Sequence, residues 1–172
     1  MIPASPIADS ALSLLDAFGL PALFVLFVIK GAIVGKPVPT SVVLPGYLVA
    51  VSASTRLITA AIAVASVGYV VGQLLIYIAA RRYDIDMIRS VPLVSVSDAQ
   101  LDRADRLFER YSGAGVFVTN LVPYVGTFIV IPAGMARYPL GRLTAYALVS
   151  TVLNYVIIVL VALESIAFLT GL

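Results

Sequence analysis

Between Ala11 and Val34 the chain carries charge only at Asp16 and Lys30. At 1.5 Å per residue that stretch is roughly 36 Å long, enough for one tilted membrane crossing. Pro21 falls inside it, and the kink it predicts must be absorbed by neighbouring helices. Residues 57–80, LITAAIAVASVGYVVGQLLIYIAA, are the cleanest crossing. Ala61, Ala65, Gly68 and Gly72 recur at i, i+4, i+7 and i+11, a stripe of small residues that lets a second helix come close. Residues 143–163 make a third span, ended by Glu164 and a short apolar tail.

Two further apolar stretches do not read as simple spans. Residues 41–54, SVVLPGYLVAVSAS, fall short of the ~20 residues a straight crossing needs and are interrupted at Pro45-Gly46. They predict a re-entrant hairpin over 37–54. Residues 113–136 are long enough, but Pro123, Gly126, Pro132 and Gly134 remove or weaken backbone hydrogen bonds where no water replaces them. Irregular backbone at membrane depth is tolerated only when buried in protein or lining a wet cavity, so 113–136 predicts a second re-entrant hairpin.

The polar stretch 81–112 holds Arg81, Arg82, Arg89, Arg103, Arg106 and Arg110 and is expected on the cytoplasmic side. Positive charge does not by itself choose between hairpins and full crossings, because the balance across the membrane is the same under both; segment length and proline content favour hairpins. Ser97 and Gln100 have capping-box spacing, and Leu101, Ala104, Phe108 and Tyr111 mark the apolar face of a short amphipathic helix, with Asp102 and Arg106 at i, i+4.

Composition agrees with a single integral membrane domain over 1–172: 61% of residues are hydrophobic and 12% charged, against roughly half and a quarter in soluble domains. The N-terminus lacks the basic region of a secretory signal, so the first span is read as part of the mature protein. The net charge of +2 is read as an orientation signal, since the arginines stand beside apolar segments, and nucleic acid is not an expected partner. With no cysteine and no histidine, zinc ligation, thiolate chemistry and Ser-His or Cys-His dyads are excluded. A serine–lysine pair such as Ser41 with Lys36 has nothing in its spacing to recommend it. No metal, cofactor or catalytic residue is assigned, and the protein is not expected to be an enzyme.

The broken segments echo one another: GKPVPTSVVLPGYLVA and NLVPYVGTFIVIPAGMA both read proline, a β-branched apolar run, then proline near glycine. One precedes and one follows the span 57–80, the pattern of an inverted repeat with its site at the repeat interface, or a coincidence of proline-rich apolar segments. PVPTSVVLPGYLVA, the run Gly72, Gln73, Tyr77, Arg81, Arg82, then FERYSGAGVFV and PYVGTFIVIPAGMARYP together resemble the DedA family (the SNARE-associated, or VTT, domain group) from about Lys30 to about Tyr155. The resemblance implies an all-α membrane fold with about three transmembrane helices and two re-entrant hairpins that meet near the bilayer centre. It also implies movement of lipids between leaflets, as phospholipid scrambling or undecaprenyl phosphate recycling.

The sequence departs from that pattern in its charges. The family's acidic residue after the first P-x-P is here Ser41, and no Asp or Glu occurs between Asp16 and Asp84. Asn120 and Gly126 stand where relatives keep arginines, so bidentate phosphate clamps are missing. The remaining substrate-binding candidates are Lys30, Lys36, Pro39, Ser41, Gln73, Asn120, Pro123, Gly126, Thr127 and Arg137, with Thr40 and Thr119 supplying hydroxyls. Competing readings are snorkelling for Lys30 and Lys36, helix packing for Gln73, a packing or interfacial contact for Tyr77, and orientation for Arg137 and Arg142.

Two functions follow. One is a lipid flippase or scramblase in the plasma or inner membrane, with membrane lipids, including a phosphate-headed one, as partners and self-association open. The other is a structural or partner-binding protein that keeps the fold and has lost transport.

Overall fold

A computed structural model describes residues 18–32, 40–83, 90, 97–121 and 128–170. Its elements are α1 (Leu20–Ala32), α2 (Thr40–Ala50), α3 (Thr55–Arg82), α4 (Asp98–Leu121), α5 (Val130–Met135) and α6 (Leu140–Thr170), with no strand among the described residues. Among these, α3 and α6 are long and apolar enough to cross a membrane, over Thr55–Arg82 and Leu140–Ser165. The described α1 has 13 residues, about 20 Å of helix, shorter than the crossing expected over 11–34, whose residues 11–17 and 33–34 lie outside the described ones.

The prolines behave more mildly than their positions suggest. Pro21 falls in the first turn of α1, where a backbone N–H has no helical acceptor to lose, so no kink is required. Helix α2 runs through Pro45 and Gly46, so the interruption expected there does not occur. The cost is one missing backbone hydrogen bond, with Pro45 itself buried. Pro132 lies in the first turn of α5 and is likewise tolerated.

Helix α4 crosses the boundary expected at 112–113. It runs 24 residues without a break, from the charged amphipathic turns into the apolar stretch. Ala104 and Phe108 are buried as the apolar face predicts, whereas Tyr111 is exposed.

Close contacts fix the helix directions. Gly68 of α3 lies against the Phe24 carbonyl, Gly72 against those of Val28 and Gly31, and Gly31 against the Tyr69 carbonyl, so α1 and α3 run parallel with backbones touching. A Cβ at Gly31 or Gly72 would collide with the opposite main chain. The small-residue stripe of α3 serves this approach, with Ala61 and Ala65 buried beside it. Tyr47 of α2 reaches back to Gly19 at the start of α1, so the chain doubles back between α1 and α3. In the second half Gly113 meets Tyr146, and Asn120 meets Ser150, so α4 and α6 are parallel too. Tyr69 meets Tyr155 while Tyr77 bonds Tyr138, which sets α3 and α6 antiparallel.

One turn occurs twice. After α2, Ser52 takes φ 47° and Ala53 N donates to Leu48 O at 2.9 Å. After α5, Arg137 takes φ 54° and Tyr138 N donates to Ala133 O, also at 2.9 Å. Each is a Schellman-type stop with a left-handed non-glycine residue, and each is followed three positions later by the first residue of a long helix, Thr55 or Leu140.

The apolar interior divides in two. One cluster joins Leu23, Phe27, Leu44, Leu48, Ala61 and Ala65 to Tyr69, Tyr155 and Val159. The other joins Phe108, Val116, Ile129–Ile131 and Ala133 to Val70, Ile76, Tyr77, Leu143 and Ala147. Both α3 and α6 contribute one stretch to each.

Candidate functional site

Where the clusters meet, the buried side chains turn polar. On α6 the change is sharp: Ala147 belongs to one cluster and Tyr155 to the other, with Ser150, Thr151 and Asn154 between them. Helix α4 adds Thr119 and Asn120, and α3 adds Gln73; except for the half-buried Asn154, all of these are buried. An apolar bundle thus has a polar belt across its interior.

Asn120 is the centre of a side-chain network. Its Oδ1 accepts from Gln73 Nε2 at 2.9 Å, and its Nδ2 donates to Ser150 Oγ at 3.2 Å. Asn154 Nδ2 donates to the carbonyls of Asn120 and Leu121 at 2.8 and 3.2 Å. Those carbonyls belong to the last turn of α4, which lacks helical partners. A side chain from α6 therefore caps α4 where the helix stops. Thr119 bonds back to the Gly115 and Val116 carbonyls.

Lys30 approaches the belt from α1. Its Nζ donates to the hydroxyl of Tyr155 at 3.0 Å, a contact spanning 125 positions of sequence. The same nitrogen lies 4.6 Å from the ring centre of Tyr69, 5.0 Å from that of Tyr155 and 5.5 Å from that of Phe27. Phe27 and Tyr155 meet edge to face at 5.2 Å, so the ring walls brace each other. The half-buried Lys30 thus holds its ammonium against these rings. Tyr155 is the neighbour of Asn154, which joins the lysine cage to the amide network through adjacent residues of α6.

The expected residues separate into three groups. Lys30, Gln73 and Asn120 lie at the belt. Arg137 is exposed in the turn after α5, beyond Gly134, which packs on the Tyr77 carbonyl and Arg81. Lys36, Pro39, Pro123, Gly126 and Thr127 lie outside the described residues, as do the hairpin tips expected around them; of Ser41 the structure describes the backbone, in the first turn of α2. Tyr77 makes the packing contact anticipated for it, donating to the Tyr138 carbonyl and accepting from Arg81 at 3.1 Å.

Four belt residues were absent from the sequence candidates: Ser150, Thr151, Asn154 and Tyr155. Their signal is visible in retrospect as polar groups at i, i+1, i+4 and i+5 inside an otherwise clean span.

Two helices long and apolar enough to cross a membrane thus pack antiparallel around a buried polar belt. The VTT domain model matches residues 38–163, most of the chain, and the protein belongs to that family, the DedA group. Undecaprenyl phosphate transporter A of Staphylococcus aureus (strain NCTC 8325 / PS 47) is 26% identical over 153 residues, covering 85% of this chain and 74% of that protein. No solved structure matches the chain.

Proposed function

We propose that the protein moves lipid between leaflets, the head group crossing along the polar belt while the tails remain in the bilayer. The observation that carries this reading is the belt itself, with Lys30 turned into an apolar bundle beside it. A charge at membrane depth costs on the order of 3 kcal/mol, a burden that by default marks a functional path.

The helix directions support an inverted repeat of two re-entrant hairpins, α1–α2 and α4–α5, each followed by its long crossing helix. A complete span over 11–34 with a hairpin on its far side would leave α1 and α3 antiparallel. Their parallel run favours α1 as the first leg and α2 as the return. The repeated turn at Ser52 and Arg137 fits the same scheme. With 81–112 cytoplasmic, the hairpins enter from opposite sides of a plasma or inner membrane.

Flipping down a gradient requires no proton carrier. This suits a chain with no Asp or Glu between Asp16 and Asp84 or between Glu109 and Glu164. The name of the staphylococcal relative makes a polyprenyl phosphate one candidate cargo; a phospholipid is the other. Reconstitution into liposomes with fluorescent versions of both tests the reading: faster loss of dithionite protection than in empty vesicles supports it, and equal rates for both lipids and empty vesicles refute it.

One observation favours a second reading, a structural protein that has lost transport: the Asn120 amide is spent on Gln73 and Ser150. That reading predicts that joint replacement of Lys30, Lys36, Ser41 and Asn120 by apolar residues leaves cellular function intact at normal protein level.

A further inference from the structure

Thr151 is the hydroxyl that the polar belt leaves over. Thr59, Thr119, Thr144, Ser150 and Ser165 each donate to the carbonyl four residues earlier in their own helix, at 2.7–3.0 Å. Thr151 is 1% exposed, and its Oγ1 has no hydrogen-bond partner among the described residues. The carbonyl four residues before it, that of Ala147, already receives Ser150 Oγ at 3.0 Å in addition to the helical amide. A buried hydroxyl without a partner is the exception in folded proteins and calls for one from outside the chain.

We propose that Thr151 anchors an internal water molecule in the belt, shared with the amide network of Gln73 and Asn120. The surroundings select water. Ser150 and Asn154 flank Thr151 on α6, and Gln73 is tied to Ser150 through Asn120, so the hydroxyl lies in a layer of neutral donors and acceptors. Water is neutral, gives and takes hydrogen bonds, and settles in a buried site where roughly two to four polar partners surround it. A hard cation such as calcium takes about six to eight oxygens, carboxylates among them. No acidic group suited to that role occurs among the described residues.

Ser66 supplies the contrast. It too is fully buried and without a partner. Its neighbours one turn either way on α3, Ile62 and Val70, are apolar, and Ala65 and Tyr69 beside it belong to an apolar cluster. A water gains little there, which sets Thr151 apart as the anchored one. The consequence is mechanical: bound water is a partner that moves with the helix, so α6 can shift along α3 without leaving its hydroxyl unpaired.

Water itself is the probe. Purified protein in detergent receives a synchrotron X-ray pulse, and mass spectrometry reads which buried side chains are labelled by hydroxyl radicals born from bound water. Helical side chains lean toward the helix N-terminus, so Tyr155, one turn beyond Thr151, is the reporter. Tyr155 is 3% exposed, and Tyr47, away from the belt on α2, is 4% exposed and serves as the reference. The expected result is labelling of Tyr155 about tenfold faster than of Tyr47, because only Tyr155 has a water beside it. The difference is lost in Thr151→Val, kept in Thr151→Ser and unchanged in Ser66→Ala, with a monodisperse gel-filtration peak confirming that each variant folds. Equal rates at the two tyrosines in the wild-type protein overturn the inference with no variant needed. Fast labelling that persists in Thr151→Val also overturns it and assigns the radicals to solvent entering beside the half-buried Lys30. An equal fall in Ser66→Ala overturns the assignment to Thr151. Labelling is read without added lipid, so its failure leaves the transport reading standing, and a protein that moves no lipid still holds the water.

Discussion

The two halves of the bundle attach their leading helix to their long helix by opposite means. In the first, α1 lies on α3 through glycines that let main chains touch, and the polar group at the seam is a caged lysine. In the second, α4 lies beside α6 through amide and hydroxyl side chains, with Asn120 bonded on both sides and Asn154 closing the helix end. The first seam is close-packed and charged; the second is hydrogen-bonded and neutral. Backbone contact leaves no room for a third component, so ligand chemistry at the first seam has to come from the single long side chain that reaches past it.

The sharpest way to break this contrast is to give the first seam a side chain. Gly72→Leu drives a branched chain into the Val28 carbonyl and is expected to destabilise the protein by about 3 kcal/mol. A thermal melt in detergent measures it, and an unchanged midpoint means that α1 does not touch α3. The matching test of the second seam is Asn154→Leu, which keeps volume and removes the cap. Two carbonyls in the last turn of α4 lose their donor, at an expected cost of about 2 kcal/mol. A loss as small as that of an exposed position would show that the Asn154 cap does not help to hold α4.

A smaller effect, of opposite sign, is expected at Lys30. Replacing a half-buried cation by an apolar chain of similar length is neutral or stabilising, here by about 1 kcal/mol, while any function that needs the charge disappears. Reduced stability together with normal lipid binding would make Lys30 a structural residue. The smallest effect concerns the feature that the halves share. Ser52→Gly and Arg137→Gly each relieve a left-handed non-glycine residue and are expected to stabilise by about 0.5 kcal/mol apiece. A gain at one turn and a loss at the other would break the equivalence of the two stops.

Much of this was legible in the chain. The stripe Ala61, Ala65, Gly68, Gly72 announces a close helix contact, and α1 fills it. The apolar face of the amphipathic stretch reappears as buried Ala104 and Phe108. Proline was read too severely. Whether Pro21, Pro45 or Pro132 breaks a helix depends on its distance from the helix start and on what surrounds it, neither of which the residue itself encodes. Gln73 and Asn120 were singled out as polar residues in apolar surroundings, but not as partners across 47 positions of sequence. The cage around Lys30 was beyond reach for the same reason: Phe27, Tyr69 and Tyr155 are ordinary aromatics until three helices bring their faces to one nitrogen. Direction was the hardest part, since a hydropathy pattern reads the same whichever way a helix points.

Because α3 and α6 each place one stretch in either apolar cluster, they are the long described elements that pass through the belt, and they act as its two axles. Any rocking of one half against the other must bend or twist them near Gln73 and Thr151, at the level where side-chain hydrogen bonds replace interlocked hydrocarbon. Hydrogen-bonded contacts can be exchanged one at a time, whereas packed hydrocarbon must part all at once. The softest plane for motion in this molecule therefore coincides with the plane in which its polar chemistry lies.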